Sequence, residues 1–273
     1  MTKNWTNKIF AAFMAAACAV TLTLEMPAAM NASAIGTGVS EDEGTIVLTP
    51  EQQLQTIMQL ENLSDEAREK AIEQYEFMTS TSAERTQSVS SQAVAREMYN
   101  SHWVGIPHYT QETSYWCGPA TTKQTIEYVS GGTISPTQSA LANSLGTTTA
   151  GTSSVNMAMW LASQGYPYYS VAVSMTTRDL VNYLVSGIGY YMKPTFGGVA
   201  ITGSMLSDDG WQYTTGGTLL NVSAIVQYEP DYENSLLQVT DPYIHWVDED
   251  AFPTGRYAVP LLDYYDAMTS FWW

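Results

Sequence analysis

Apolar and polar positions change rhythm several times along the chain. A mostly apolar run from Ile9 to Leu24 follows Lys3 and Lys8 and leads to a small-residue exit at Ala32-Ser33-Ala34. That order of charge, apolar stretch and small residues predicts a secretory signal peptide over residues 1–34. The run falls short of the roughly 20 apolar residues a membrane span needs, and no later stretch approaches that length. Cleavage at Cys18, behind Ala15-Ala16-Ala17, would leave an odd apolar tail, so ordinary cleavage and secretion are expected. A modest basic leader and export without disulfides suggest a bacterial source.

Past the leader, two stretches carry a helical period. The first opens at Thr49-Pro50, an N-cap followed by Pro at the first helical position, and places Leu54, Ile57, Met58 and Leu60 on a partly apolar face. The second opens at Ser64, with Asp65 and Glu66 in its first turn and Ala67, Ala71, Tyr75 and Met78 at helical spacing. Residues 79–95 lose large apolar side chains and read as a Ser/Thr-rich linker. Residues 35–98 are thus an acidic helical pro-segment, spacer or surface stalk.

From about residue 100 the pattern predicts a helix over Gly118–Val129, a Gly/Thr loop over Gly146–Thr152 and a helix over Val155–Ser163. A short strand around Tyr168–Val173 and a capped helix opening at Thr176-Thr177-Arg178-Asp179 follow. Val199–Thr202, Leu219–Tyr228 and Leu236–Thr240 read as strands, the last two joined by a turn at Pro230–Asn234. A helix-first half followed by a strand-rich half predicts the α+β class for residues 99–273, with no internal repeat.

Composition narrows the chemistry. Ten Lys plus Arg against 27 Asp plus Glu give a net charge of -17, and loss of residues 1–34 leaves eight basic and 26 acidic residues, a net charge of -18. Such a chain repels phosphate backbones and anionic membranes, which argues against nucleic acid as a partner. Three scattered His and two Cys offer no metal spacing, and no cofactor is called for. Asp208-Asp209 and Asp248-Glu249-Asp250 lack the alternating ligands of a Ca²⁺ loop and read as solvated turns. Tyr166-Pro167-Tyr168-Tyr169, Tyr190-Tyr191, Tyr264-Tyr265 and Phe271-Trp272-Trp273 suit core or rim packing, or the gripping of a peptide or glycan.

Without residues 1–34 a single thiol remains, Cys117, in Gln111-Glu112-Thr113-Ser114-Tyr115-Trp116-Cys117-Gly118-Pro119-Ala120 ahead of the helical run TTKQTIEYV. A thiol at a helix start meets open backbone N–H groups and the positive dipole end, so a lowered pKa is expected. Gln111, on an irregular segment, could fold back so that its side-chain amide and the Cys117 N–H point at one oxygen, forming an oxyanion hole.

With these residues the chain resembles the C39-like cysteine peptidases of the papain-fold clan, in which a Gln, a helix-capping Cys-Gly-Pro and later His and Asp residues assemble the site. The resemblance covers roughly residues 103–273. Besides Gln111 and Cys117 it includes Gly131-Gly132-Thr133-Ile134-Ser135 to Leu141-Ala142, Leu145-Gly146-Thr147 to Gly151-Thr152, and Asp241-Pro242-Tyr243 closing a strand. It implies a papain-like fold and a peptide or protein substrate attacked by Cys117, with Asp241 orienting a His. Where relatives carry Gly-Gly-His this chain has Gly216-Gly217-Thr218, and threonine is no base near neutral pH. His245, four residues after Asp241, is the best substitute; His102 and His108 read as entry-loop residues before Gln111, with His108 near enough to the site to stay a candidate.

Two readings follow for what is expected to be a secreted monomer. One is a peptide-bond hydrolase using Cys117, Gln111, His245 and Asp241; the other is a non-catalytic papain-fold module that binds a peptide or cell-surface polymer. A maturation peptidase fused to a transporter lacks the membrane segments it would need.

Overall fold

A computed structural model of the chain describes residues 49–59, 65–80, 99–207, 210–228, 232–247 and 252–273. The leader, most of the Ser/Thr-rich linker and the acidic runs of 208–209 and 248–250 lie outside the described residues.

The two lead helices form as their caps dictate: α1 spans Pro50–Met58 and α2 spans Asp65–Thr79. The Thr49 side chain accepts from the Gln52 N–H (3.3 Å) while Gln52 Oε1 accepts from the Thr49 N–H (2.8 Å), a reciprocal cap. The apolar faces then find a partner in the chain itself. Leu54, Ile57 and Ala71 are buried with Ala162 and Tyr169. Gln53 holds Ser170 at both ends of its amide (2.9 and 2.7 Å), and the Tyr169 hydroxyl donates to the Ala71 carbonyl (2.5 Å). Phe77 stacks on Trp273 at 4.8 Å and 22°, with its edge to Tyr183 at 5.6 Å. None of these contacts touches Cys117, Gln111 or Asp241.

Phe77→Ala is therefore expected to destabilise the protein by about 2–3 kcal/mol, since it opens a void against two aromatic rings. The exposed Glu69→Ala is expected to stay within ~0.5 kcal/mol. Urea unfolding checks both, and equal stability of the two variants would mean a loosely tethered stalk.

The strand-rich half closes one antiparallel sheet from β1 (Tyr99–Trp103), β2 (Ser170–Val171), β3 (Thr195–Ile201), β4 (Thr215–Tyr228), β5 (Leu236–Thr240), β6 (Arg256–Pro260) and β7 (Met268–Trp272). The order is β2-β7-β3-β4-β5-β6, with β1 also on β4. Helices α3 (Cys117–Val129), α4 (Gln138–Ser144) and α5 (Ser154–Ser163) share an apolar cluster with Leu219, Phe196 and Trp272. The alternate residues Leu220 and Val222 enter a second cluster, with Leu180, Leu184, Trp211, Val239 and Tyr264. Helices α6 (Thr177–Leu184), α7 (Ile244–Val247) and α8 (Leu261–Ala267) follow among the described residues.

The α+β expectation holds, with local corrections. The thiol helix starts at Cys117 itself, and the strand expected over Tyr168–Val173 shortens to Ser170–Val171, paired with Trp272 and Phe271 of β7. The strand expected over Val199–Thr202 begins at Thr195, through Gly197 and Gly198, whose missing side chains hid it. The turn expected at Pro230–Asn234 falls partly outside the described residues; Tyr232–Asn234 forms a 3-10 turn.

Candidate functional site

Helix α3 is fixed to the central strand by polar groups. Thr121 Oγ1 donates to the Leu219 carbonyl (2.9 Å) and Thr125 Oγ1 to Asn221 Oδ1 (2.8 Å). The Asn221 amide donates back to the Thr121 carbonyl (3.2 Å) and Gln124 Oε1 (3.0 Å). All four side chains are buried, so the seam has one register. Gly118 allows the opposite wall to close: a Cβ there would lie 2.4 Å from Thr152 Cβ.

The Gln111 segment is held from both halves. Its N–H donates to the Pro242 carbonyl (3.0 Å), while Gln138 donates to the Thr110 carbonyl (2.8 Å) and accepts from the Glu112 N–H (3.0 Å). Tyr109, whose hydroxyl donates to Glu127, is pushed up to about 12 by that bond. The Gln111 side chain is buried, and its amide donates to the Thr113 carbonyl at 2.7 Å, closing its own loop.

Cys117 is 4 % exposed. The Leu219 and Gly118 N–H groups and the Thr218 hydroxyl stand against its sulfur and favour a thiolate, but burial outweighs them, and Asp241 adds to burial. The thiol pKa is raised, which reverses the expectation drawn from the helix start: with the sulfur enclosed, desolvation exceeds what the first-turn N–H groups return.

Register explains what stands beside it. Asn221 pairs with Thr240, so the residue after β5, Asp241, comes level with the Thr218 end of β4. Asp241 is fully buried, and its Oδ2 accepts from the Tyr213 hydroxyl (2.7 Å) and the Tyr257 hydroxyl (2.9 Å), its Oδ1 from the Tyr243 N–H (2.8 Å). Burial raises its pKa against the pull of these donors. The Thr218 hydroxyl lies close to both the Cys117 thiol and Tyr213 without an aligned hydrogen bond to either. The row from thiol to carboxylate thus runs past a threonine and a tyrosine.

The histidines lie off this row. His245 Nε2 donates to the Phe252 carbonyl (2.7 Å), leaving Nδ1 to accept from Thr110 Oγ1 (2.7 Å). Both ring nitrogens are engaged, so His245 braces the Gln111 segment. His108 packs edge-on to His245 at 4.6 Å and donates from Nε2 to the Asp241 carbonyl (2.9 Å). Burial, with His245 and Arg256 nearby, lowers its pKa to about 4 despite that bond. Gly255, at φ +62°, makes room, since a Cβ there would lie 2.1 Å from the His108 ring. His102 sits on β1, paired with Ile225.

The structure therefore brings Cys117, Asp241 and the Gln111 backbone together and turns His245 to other partners. Sequence reasoning missed Tyr213 and Tyr257, which carry no local signal. It also missed the Thr121/Gln124/Thr125 seam, which uncharged polar residues one turn apart on a core helix could have shown.

Among the described residues no group of three or more His, Cys, Asp or Glu could hold a metal ion, and no helix is long and apolar enough to cross a membrane. The profile of the Peptidase_C39 like family matches residues 104–259. A solved structure, the peptidase domain of Streptococcus ComA, a bi-functional ABC transporter involved in a quorum sensing pathway, aligns at 15% identity over 62% of this chain and 97% of that chain, with a TM-score of 0.39. No curated protein matches.

Proposed function

The chain belongs to the Peptidase_C39 like family, and from that premise we propose that it is a secreted, monomeric member whose papain-like α+β domain binds rather than cleaves. The observation that carries this reading is the occupation of Asp241 Oδ2 by Tyr213 and Tyr257, with Thr218 against the thiol. A cysteine nucleophile needs a base to take its proton and an acid residue to aim that base. Here the His245 imidazole, near enough to Asp241 to act on its charge, spends both ring nitrogens on Thr110 and Phe252, burial raises the thiol pKa, and the Gln111 amide donates to its own loop. Asp241 acts as an anchor for three chain segments instead of as an orienting acid.

Incubating the protein with a peptide library and reading cleavage by mass spectrometry tests this. Wild type and Cys117→Ser are expected to give the same background. Cleavage that disappears in Cys117→Ser would overturn the reading and restore the hydrolase with a relocated base.

A further inference from the structure

Away from Cys117, helix α2 and the domain line a half-open cavity of about 200 Å³, formed by Gln74, Tyr128, Tyr166, Tyr191, Met192 and Lys193, among others. That volume lies below the ~300–1,000 Å³ of clefts for drug-sized ligands, and suits one small ring. The backbone at its mouth is unusual. A π-helical turn over Val185–Tyr190 leads into Met192 at φ +51°, the one non-glycine residue in the left-handed region among those described. Such turns and such strain concentrate at functional positions. Met192, which lines the cavity, and Tyr190, whose ring packs edge-on to Tyr191, are more than half exposed.

The electrostatics select the ligand. Lys193, buried at the base, donates to the Pro167 carbonyl (3.0 Å) and lies 4.0 Å from the Tyr168 ring centroid. Gln74 joins the same two partners, accepting from Lys193 and donating to the Pro167 carbonyl. On the same helix Glu73 and Glu76 direct negative charge at Tyr191. An approaching anion meets those carboxylates, and an approaching cation meets the ammonium behind them. A neutral ligand escapes both. The Tyr128, Tyr166 and Tyr191 rings offer flat faces for C–H contacts and their hydroxyls offer hydrogen bonds, while Gln74 and Lys193 hold each other and the Pro167 carbonyl at the wall. Hydroxyl groups on a small saturated ring complement that lining.

We propose that this cavity binds one neutral sugar residue, a hexose or N-acetylhexosamine unit. The proposal deepens the binding-module reading and rests on it for the idea that the fold holds a ligand without cutting it.

Saturation-transfer NMR and calorimetry on the full chain test it with glucose, galactose, N-acetylglucosamine and their neutral trisaccharides as probes, and glucuronate and glucosamine as charged controls. At least one neutral sugar is expected to bind, with the charged analogues about tenfold weaker. Tighter binding of a trisaccharide than of its single unit would identify a glycan end as the ligand, and equal binding would identify the free sugar. Tyr191→Ala is expected to weaken binding about tenfold. Tyr191→Phe, which keeps the ring packed on Trp273, is expected to weaken it severalfold. Cys117→Ser should change nothing. Absence of binding by every neutral probe, preference for a charged analogue, or affinity indifferent to both Tyr191 variants would overturn the proposal. Loss of binding in Cys117→Ser would place the sugar elsewhere and overturn it equally. Cys117-dependent peptide cleavage, by contrast, sinks the non-hydrolytic reading and leaves a measured sugar site standing.

Discussion

Iodoacetamide is expected to modify Cys117 slowly, with a midpoint above the ~8.5 of a free thiol and a rate at pH 7 about tenfold below that of the urea-unfolded chain. The enclosed sulfur must lose its solvation to ionise, and the Asp241 carboxylate nearby adds to that penalty. The Leu219 and Gly118 N–H groups oppose the shift without reversing it. His245→Ala is expected to leave the midpoint in place, because both nitrogens of that ring serve Thr110 and Phe252. Thr218→His is expected to lower it only together with Tyr213→Phe, since Asp241 Oδ2 otherwise keeps both tyrosine donors and cannot aim a new imidazole. The sign extends to stability. A thiol with its pKa raised in the fold contributes stability that is present below the unfolded value and is lost as pH rises through the folded one. A wild-type midpoint well below the free-thiol value would mean a working thiolate.

Much of this arrangement was open to reading from residue patterns. Cys117-Gly118-Pro119 marks a helix start because Pro is tolerated only there, and Leu219–Tyr228 announces a strand because its apolar residues alternate between two faces. Other elements were hidden for physical reasons. Tyr99–Trp103 is too polar to look like a strand and becomes one by hydrogen bonding along β4. The π-helical turn at Val185–Tyr190 continues α6 and packs against β1 and β4, partners that no local window of sequence contains.

The site divides along the same line. Cys117, Gln111, Asp241 and the departure at Thr218 stood out because each occupies a motif. The state of Asp241 depends on Tyr213 and Tyr257, 28 and 16 residues away in sequence, one on the approach to β4 and the other on β6. Likewise a helix-start thiol reads as activated until burial is known, and desolvation is a property of the whole fold. Local pattern names the groups, while packing decides their protonation.

Asp241→Ala is expected to be the most damaging single change, lowering stability by about 3–5 kcal/mol and the melting temperature by roughly 10 °C. It would leave the Tyr213 and Tyr257 hydroxyls and the Tyr243 N–H without their acceptor in a site closed to water. Asp241→Asn should be milder, since its oxygen can accept from the Tyr243 N–H while its amide donates to a phenol oxygen. The pH dependence separates a buried acid from a merely well-packed one. Burial raises the Asp241 pKa in the fold, so as pH climbs past ~3.9 the unfolded chain releases this proton first. The contribution of Asp241 is therefore full below that value and declines as pH rises through the folded one. Asparagine does not titrate, so the penalty of Asp241→Asn relative to wild type is expected to shrink between acid and neutral pH in urea unfolding. A penalty that grows instead would mean a carboxylate stabilised in its charged form by the two tyrosines, and an Asp241→Ala loss under ~1 kcal/mol would remove its role as the anchor of the three segments.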